Sequence, residues 1–317
     1  MPATRHNHAL LLAAPEAAAL RTVRLRPAAT SAAPARRLTA AAWNVERGRA
    51  VEDIARLLDA AAADVALLTE VDIGMARSHN RDTVGEIAAA LGMHHAVAVE
   101  YIELGHGDAR ESTVYAAVPN AAGLHGNAVL SRWPITRAVV LPLDDGGDWF
   151  AGAGDPFQRR IGSRHALAVR IDAGFGPLWC VAAHFESRGT PATRAAEMAR
   201  LLPDLADLAC DAPVLLGGDF NTKAATPAVL TAERGADDEP LFALARTHGL
   251  MTAGANTAAI STRRRAWHTD ADAPANARLD WIFVRGLSPS APEVRPAVET
   301  AGEAISDHDL LTVEITP

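Results

Sequence analysis

Residues 213–223, P-V-L-L-G-G-D-F-N-T-K, are the segment of this chain whose residue types and spacing best suit catalysis. The apolar residues 214–216 predict a buried strand, and the two glycines after it permit a tight turn. Asp219 and Asn221 then follow at the strand end. A carboxylate and an amide two residues apart, at the mouth of a sheet, suit the holding of a water molecule and a phosphoryl oxygen. The same residue types are common in ordinary strand-to-loop turns, so the motif alone leaves both interpretations open.

Other apolar runs of the chain end in side chains of the same kind. The runs are A-W-N-V-E-R-G at 42–48, V-A-L-L-T-E-V-D at 65–72, V-A-A-H-F-E-S at 181–187, and L-D-W-I-F-V at 279–284, which is followed by S-D-H at 306–308. Sheets build metal sites and acid–base sites from side chains at their strand ends. We therefore expect these endings to converge on one cleft.

In these segments the chain resembles the endonuclease/exonuclease/phosphatase superfamily, the fold of deoxyribonuclease I. The motifs occur in family order, and they are W-N-V-E, L-L-T-E-V-D, H-G-N-A-V-L-S-R, A-H-F-E-S, G-G-D-F-N-T, L-D-W-I-F-V and S-D-H. The resemblance implies an α+β fold with two packed, mostly antiparallel β-sheets flanked by helices, a four-layer α/β/β/α sandwich. Residues 38–317 would form the catalytic domain, and residues 1–37 an N-terminal extension that is either flexible or adds an edge strand.

The resemblance also implies a divalent metal ion, Mg²⁺, for which Mn²⁺ can substitute. Glu70 matches the family glutamate that holds this ion, and Asp307 is the second candidate ligand. Glu46 is a third, although family members often carry an Asp or a small polar residue at that position. Mg²⁺ prefers oxygen ligands and offsets the charge that grows on phosphate oxygens during hydrolysis. The sequence has no Cys/His cluster of the kind that zinc selects.

Further motif residues match positions that handle the attacking water and the phosphate. The resemblance implies that Asp219 orients or deprotonates the water and that Asn44 holds Asp219 in place. Asn221 is expected to donate a hydrogen bond to a phosphate oxygen. Asn127 is expected to lie near the floor of the site.

Two histidines are expected to contact the scissile phosphate. His308 would act there either as an imidazolium or as a base, with Asp280 accepting a hydrogen bond from its ring. His184 matches the position that contacts the phosphate from the other side. The resemblance leaves open whether Asp219 or His308 is the general base.

Arginines and long irregular segments suggest a substrate-specific rim. Arg164 and Arg188 are candidates to bind a second phosphate or an anionic head group. The irregular segments are residues 103–112, 144–161 and 253–277. Long loops in a compact domain are often functional, so we expect them to border the cleft.

Bulk properties restrict the class of protein. The chain has 317 residues, 49% of them hydrophobic and 21% charged, with a formal net charge of −8. An acidic balance disfavours general nucleic-acid binding, which usually needs a basic surface. Cys180 and Cys210 lie in or beside apolar runs and are expected to be buried free thiols. No apolar run reaches the roughly 18–20 residues of a membrane span, and no signal peptide is evident, so a cytoplasmic protein is expected.

Hydrophobic periodicity predicts the order of helices and strands. Helices are expected at 51–62, 83–91, 191–210, 227–233 and 240–249. One strand is expected to end at 44, and residues 22–26 are the possible edge strand of the N-terminal extension. Further strands are expected at 65–69, 96–102, 114–118, 128–131, 138–141, 165–171, 178–183, 214–216, 281–284 and 310–315.

These observations favour a metal-dependent hydrolase of phosphomonoesters or phosphodiesters, acting on a small or lipid-linked substrate by in-line attack of water. The alternative is an endonuclease or exonuclease acting on DNA or RNA, and a third possibility is a catalytically inactive binding module. Nothing in the sequence implies an obligate protein partner.

Overall fold

The fold was analysed in a computed structural model of the full chain. The structure describes residues 15–144, 158–223, 238–262, 277–299 and 304–317. The expected helix at 227–233 and most of the rim segments 144–161 and 253–277 lie outside these residues.

Five α-helices are present within the described residues. They are α1 (Val51–Ala60), α2 (Thr83–Leu91), α3 (Ala109–Val114), α4 (Pro191–Ala209) and α5 (Leu241–Thr247). Short 3-10 helices cover Pro15–Arg21 and Ala76–Ser78. The helix starts follow local chemistry: Thr190 caps α4 through a reciprocal pair with Thr193, ahead of a proline at the first helical position.

Thirteen strands are present in the described residues, and five of them follow one another between α3 and α4. They are β1 (Arg24–Arg26), β2 (Leu38–Arg47), β3 (Val65–Ile73), β4 (His94–Glu103), β5 (Leu124–Ser131), β6 (Ile135–Pro142), β7 (Arg160–Gly162), β8 (His165–Asp172), β9 (Pro177–His184), β10 (Val214–Asp219), β11 (Asp280–Arg285), β12 (Ser288–Arg295) and β13 (Leu310–Thr316).

Within the described residues these strands form two sheets. The larger, eight-stranded sheet has the order β1-β4-β5-β3-β2-β13-β12, and β7 pairs with β4. The smaller sheet has the order β11-β10-β9-β8-β6. Most neighbours are antiparallel, but β2/β3 and β9/β10 are parallel. Parallel neighbours need a crossover connection, which α1 supplies in the larger sheet and α4 in the smaller one.

Apolar side chains separate the layers in the described part of the chain. One cluster lies between the larger sheet and helices α1 and α2, a second between the two sheets, and a third between the smaller sheet and helices α4 and α5. In α1 the buried residues Val51, Ile54, Ala55 and Leu58 follow the spacing of one helical face. The order helix, sheet, sheet, helix confirms the expected four-layer sandwich.

Two sequence predictions about local structure were wrong. Residues 114–118 were expected to form a strand, but α3 ends at Val114 and a turn follows. The helix begins because Asp108 and Glu111 form a reciprocal capping box, which outweighs the β-branched residues beyond it. Cys210 is exposed at the end of α4, whereas Cys180 is a buried free thiol as expected.

Two strands were not anticipated. β12 contains two prolines, which are compatible with a strand only because it lies at the edge of the larger sheet. β7 is three residues long and pairs with the end of β4. None of the helices in the described residues is long and apolar enough to span a bilayer.

Candidate active site

One end of the layer between the two sheets is polar. On several strands, a side chain of the inter-sheet core is followed two residues nearer this end by a polar one. The pairs are Ala42/Asn44, Leu67/Thr69, Ala182/His184, Val129/Asn127 and Ile282/Asp280. Since alternate residues of a strand face the same side, the polar members all point between the sheets. This alternation places the polar residues of distant strands in one buried site.

Asp219 lies at the centre of this polar end. In the smaller sheet it is the register partner of His184 on one side and of Asp280 on the other. The preceding Gly218 has φ +142°, and a Cβ atom there would lie 2.1 Å from the carbonyl oxygen of Ala183. Only glycine allows this close approach, which explains the second glycine of the G-G-D-F-N segment.

Asp280 and His308 form a buried dyad beside Asp219. The ring Nδ1 of His308 lies 3.0 and 2.9 Å from the two carboxylate oxygens of Asp280, and Nε2 lies 3.7 Å from Oδ2 of Asp219. Burial would lower the pKa of His308, but Asp280 and Asp219 together raise it well above its ordinary value. The imidazole is therefore cationic at neutral pH. Ser261 Oγ donates to Asp280 Oδ2 over 2.7 Å and fixes the carboxylate.

The carboxyl group of Asp219 holds its proton more tightly than an ordinary aspartate does. Burial raises the pKa of Asp219 to about 6, against the opposing effect of the cationic His308. Its Oδ1 accepts a hydrogen bond of 2.9 Å from the backbone N–H of Asn221, whose side-chain Nδ2 donates to the Phe185 carbonyl over 2.9 Å. A carboxylate that titrates near neutral pH is suited to exchange protons with a water molecule.

His184 lies on the other side of Asp219. Its Nε2 is 3.5 Å from Asp219 Oδ2, while Nδ1 is buried without a hydrogen-bond partner among the described residues. Burial and the nearby Arg164 guanidinium lower the pKa of His184 well below its ordinary value. The two histidines of the site therefore differ, since His184 is neutral where His308 is charged.

Asn44 joins the two sheets at this end. Its Nδ2 donates to Oε1 of Glu70 and to Oδ2 of Asp219, both over 3.1 Å. Its Oδ1 accepts a hydrogen bond of 3.0 Å from the backbone N–H of Glu46. One amide thus connects Glu70, at a left-handed φ of 58°, to the smaller sheet and, through Asp219, to His308.

Glu70 is the carboxylate of this group that faces the cleft, with 17% of its side chain exposed. Burial would raise the pKa of Glu70, but the Arg47 guanidinium, which contacts Oε2, and the hydrogen bond from Asn44 hold it well below the ordinary value. The carboxylate is therefore ionised and already has a cation beside it. An ionised carboxylate at the mouth of the cleft fits a hard divalent cation such as Mg²⁺.

Glu46 and Asp307 lie next to each other at the end of β2. Oε2 of Glu46 accepts a hydrogen bond of 3.0 Å from the backbone N–H of Asp307, and Oε1 lies 2.6 Å from the Arg49 guanidinium. Glu46 also has a positive φ, 42°. The structure thus brings Glu46 and Asp307 together, and joins Glu46 to the Asn44 amide.

A second group of possible metal ligands consists of Asp219, Asp280 and His308, whose ligand atoms lie within 4.8 Å of one another. Asp280 and Asp219 raise the pKa of His308, so binding of a metal ion by its ring would first require the loss of a proton. This group is therefore better suited to handling protons and phosphate charge, and Glu70 is the better candidate ligand.

The three residues expected to contact the substrate have different surroundings. Asn127 is buried, with Nδ2 donating to the His165 carbonyl over 3.0 Å and Oδ1 without a partner among the described residues. Arg188 is exposed on the segment after β9. Arg164 is instead buried, with its guanidinium 3.3 Å from both Glu100 and Glu186.

Arg164 was expected from the sequence to be a candidate for binding a second phosphate, and this role stays a prediction. Its charge is already balanced by two carboxylates, and it acts on the site through the pKa of His184. Three further residues contact site residues but were not among the candidates named from the sequence. They are Arg47, Ser261 and His165. The alternation of apolar and polar residues in β8 would have indicated His165, two residues before the core residue Leu167.

Comparison with known proteins identifies the family. The model described as the Endonuclease/Exonuclease/phosphatase family matches residues 41–308. This match covers most of the chain, so the protein belongs to the endonuclease/exonuclease/phosphatase family. Members of this family are in general metal-dependent hydrolases that act on phosphoester bonds. No curated protein matches the chain at a significant level.

Solved structures share the fold at low sequence identity. An endonuclease/exonuclease/phosphatase from Beutenbergia cavernae has a TM-score of 0.61 and 19% identity over 89% of this chain and 72% of its own. A functionally unknown conserved protein from Enterococcus faecalis has a TM-score of 0.58 and 17% identity over 88% of this chain and 99% of its own. Truncated TDP2 from Caenorhabditis elegans has a TM-score of 0.53 and 14% identity over 89% of this chain and 98% of its own. At these identities the similarity shows the fold alone.

Proposed function

We propose that this protein is a divalent-metal-dependent phosphoesterase that hydrolyses a small or lipid-linked phosphomonoester or phosphodiester. The observation that carries the proposal is the contact of one amide, Asn44 Nδ2, with both Glu70 and Asp219. This contact joins a cleft-facing anion to the dyad of Asp280 and His308 through Asp219, which lies 3.7 Å from the His308 ring. Metal-dependent phosphoester hydrolysis uses a cation site and an acid–base site that act on the same phosphate group.

Glu70 is proposed to hold Mg²⁺, or Mn²⁺ in its place, together with Glu46 and Asp307. The ion supplies Lewis-acid stabilisation of the phosphate oxygens when it is bound. The supporting observations are the ionised state of Glu70 and the oxygen-only donor set of the three side chains. Oε2 of Glu46 accepts a hydrogen bond from the backbone N–H of Asp307, which holds these two residues next to each other.

Asp219 is proposed to be the base that orients and deprotonates the attacking water. A pKa of about 6 leaves it ionised at neutral pH, yet basic enough to share a proton. His308 is the weaker candidate for the base because it is already protonated. As an imidazolium supported by Asp280, it would instead stabilise charge on a phosphate oxygen.

Asn221 and His184 are proposed to complete the contacts with the phosphate. The Asn221 amide uses one N–H for the Phe185 carbonyl, which leaves its second N–H for a phosphate oxygen. His184 is neutral and can donate from only one of its two nitrogens. A neutral donor and an imidazolium on the two sides of Asp219 suit an anion that arrives with one or two negative charges.

The test is hydrolysis of p-nitrophenyl phosphate and bis-p-nitrophenyl phosphate with Mg²⁺. We expect activity that EDTA abolishes and that Mn²⁺ restores, with losses of at least about 10³-fold in Asp219→Ala and His308→Ala. Asp53→Ala is the control, since this residue pairs with Arg56 on α1 outside the site and its replacement should leave the rate unchanged. Unchanged activity in both site variants would refute the assignment.

Nucleic acid is the second candidate substrate, because the family description includes endonucleases and exonucleases. The formal net charge of −8 counts against a long polyanion as the natural ligand. Nicking of supercoiled plasmid by the wild type but not by Asp219→Ala would favour the nuclease. Ligand binding without hydrolysis of any phosphoester would favour an inactive binding module.

A further inference from the structure

Arg47 lies in the site but has no role in the reaction proposed above. Its guanidinium contacts Oε2 of Glu70 on one side and lies 3.4 Å from Oε1 of Glu111 on the other. The Arg47 side chain is 16% exposed and that of Glu111 only 4%. Arg47 is therefore a cation held between a cleft-facing carboxylate and a buried one.

The backbone at the end of β2 is strained to hold this position. Glu46, Arg47 and Gly48 are consecutive residues with positive φ angles of 42°, 73° and 66°. The left-handed conformation is unfavourable for non-glycine residues because it brings the Cβ atom too close to the following carbonyl oxygen. The result is a register shift that sets Arg47 opposite Val71 of β3, immediately after Glu70. A costly conformation that persists beside a candidate active site is commonly part of its mechanism.

Formal charges around Arg47 are unbalanced. Four carboxylates act on its guanidinium, namely those of Glu70, Glu111, Asp72 and Glu103. The second cation of the cluster, Arg77, is fully buried and locked by contacts of 2.8 and 2.9 Å with Asp72. The carboxylates of this cluster thus outnumber its arginines, which favours the uptake of a further cation.

We propose that Arg47 is the resident cation of the metal site and competes with the divalent ion for Glu70. In the metal-free protein its guanidinium neutralises Oε2 of Glu70, and the ion displaces it from that oxygen. Glu111 remains a partner of the displaced guanidinium, so the arginine stays at the cleft. Arg47 thereby sets the concentration at which the protein takes up its metal. This inference rests on the proposed role of Glu70.

The alternative is that Arg47 only orients Glu70 for the metal. The two roles predict opposite changes in the metal affinity of the protein when the guanidinium is removed. Loss of a competing positive charge strengthens the binding of a cation, whereas loss of an orienting contact weakens it. Asn44 still holds Oε1 of Glu70 when Arg47 is replaced, so the carboxylate keeps one fixed contact.

The experiment is calorimetric titration of Mn²⁺ and Mg²⁺ into the full-length, metal-free protein. We expect Arg47→Met to lower the dissociation constant at least about tenfold, a change of about 1.4 kcal/mol. Arg47→Lys keeps a charge but has a single ammonium group, so its dissociation constant should fall by about threefold. Arg56→Met removes the same charge from an exposed ion pair on α1 and should match the wild type.

Melting temperature in EDTA provides a second measurement that does not depend on activity. Without its guanidinium, Glu70 is an unpaired, partly buried anion, so Arg47→Met should melt lower than the wild type in EDTA and gain more from added Mn²⁺. If Arg47→Met fails to fold, Arg47→Lys still shows whether metal binding becomes tighter or weaker. Unchanged or weaker metal binding in the folded arginine variants overturns the inference.

Glu70→Gln separates this inference from the proposed function. If Glu70→Gln binds Mn²⁺ as tightly as the wild type, Glu70 is not a ligand and both proposals lose their basis. If Glu70→Gln binds weakly while Arg47→Met binds no better than the wild type, the metal site stands and the competition by Arg47 is refuted. Tighter binding in Arg47→Met together with weak binding in Glu70→Gln supports both.

Discussion

Replacement of Asp280 by asparagine tests how the site keeps His308 charged. The substitution keeps the size of the side chain but removes the negative charge that faces Nδ1 at 2.9 and 3.0 Å. A hydrogen bond to a charged group contributes about 1.5–3 kcal/mol. That corresponds to a fall of roughly one to two units in the pKa of His308. If the imidazolium stabilises the phosphate, kcat/KM should fall about 10- to 150-fold.

Two assays measure these effects independently. The pKa of His308 is read from the pH dependence of its ring signal in histidine-labelled protein, with His308→Gln identifying the signal. The value of kcat/KM is measured with bis-p-nitrophenyl phosphate and saturating Mg²⁺. Asp309→Asn is the matched control, because that carboxylate accepts a backbone hydrogen bond of 2.9 Å from Ala297 instead of facing the ring.

The reasoning fails if Asp280→Asn leaves the His308 pKa unchanged and kcat/KM within about threefold of the wild type. A lower pKa with unchanged kcat/KM would mean that the ring charge is not used in catalysis. Equal losses in Asp280→Asn and Asp309→Asn would point to a general effect on folding.

Three further predictions concern the neighbours of this dyad. Asn44→Ala removes the amide that contacts both Glu70 and Asp219, so the rate of hydrolysis should fall about 100-fold. Circular dichroism should show unchanged folding. A loss of rate below about threefold would contradict the bridging role of Asn44. Ser261→Ala removes the 2.7 Å hydrogen bond to Asp280 and should cost about 3- to 10-fold in kcat/KM, with a full rate contradicting its positioning role. Carbon-13 carboxyl spectra in EDTA should show Asp219 titrating near pH 6, since burial raises its pKa to about 6 from 3.8, and an ordinary value would refute that environment.

The sandwich was predictable because local and long-range signals agree in this sequence. Apolar runs of strand length end in polar residues at the same sheet edge, and the helices between them carry caps such as Asp82 ahead of α2. The motifs occur in the order of the family, and this resemblance implied the four-layer sandwich. The exceptions are local: a capping box produced α3 where β-branched residues suggested a strand, and β12 formed despite two prolines because it has a free edge.

The family resemblance implied two of the contacts in the candidate site, those of Asn44 with Asp219 and of Asp280 with His308, but not the contact of Asn44 with Glu70. Asn44, Glu70, Asp219 and His308 stand in motifs, and each follows a recognisable strand. That one amide contacts both Glu70 and Asp219 depends on how closely the two sheets pack. Sequence spacing carries no information on a distance between residues that are 175 positions apart.

The missed residues are those whose role depends on a tertiary partner. Ser261 belongs to no motif, and only the fold brings it to Asp280. Arg47 stands inside the W-N-V-E-R-G segment, where an arginine after a strand is usually solvated. Its contact with Glu70 requires the left-handed backbone at the end of β2. Arg164 shows the reverse case, since the charge of an arginine proposed to bind phosphate is already balanced by Glu100 and Glu186.

The most direct test of the central claim is the position of a bound Mn²⁺ ion in crystals, located from its anomalous scattering. The account predicts a peak at about 2.0–2.3 Å from a carboxylate oxygen of Glu70, with the Arg47 guanidinium moved away from that oxygen. A peak bound by the ring of His308, or no peak at Glu70 at millimolar Mn²⁺, would contradict it.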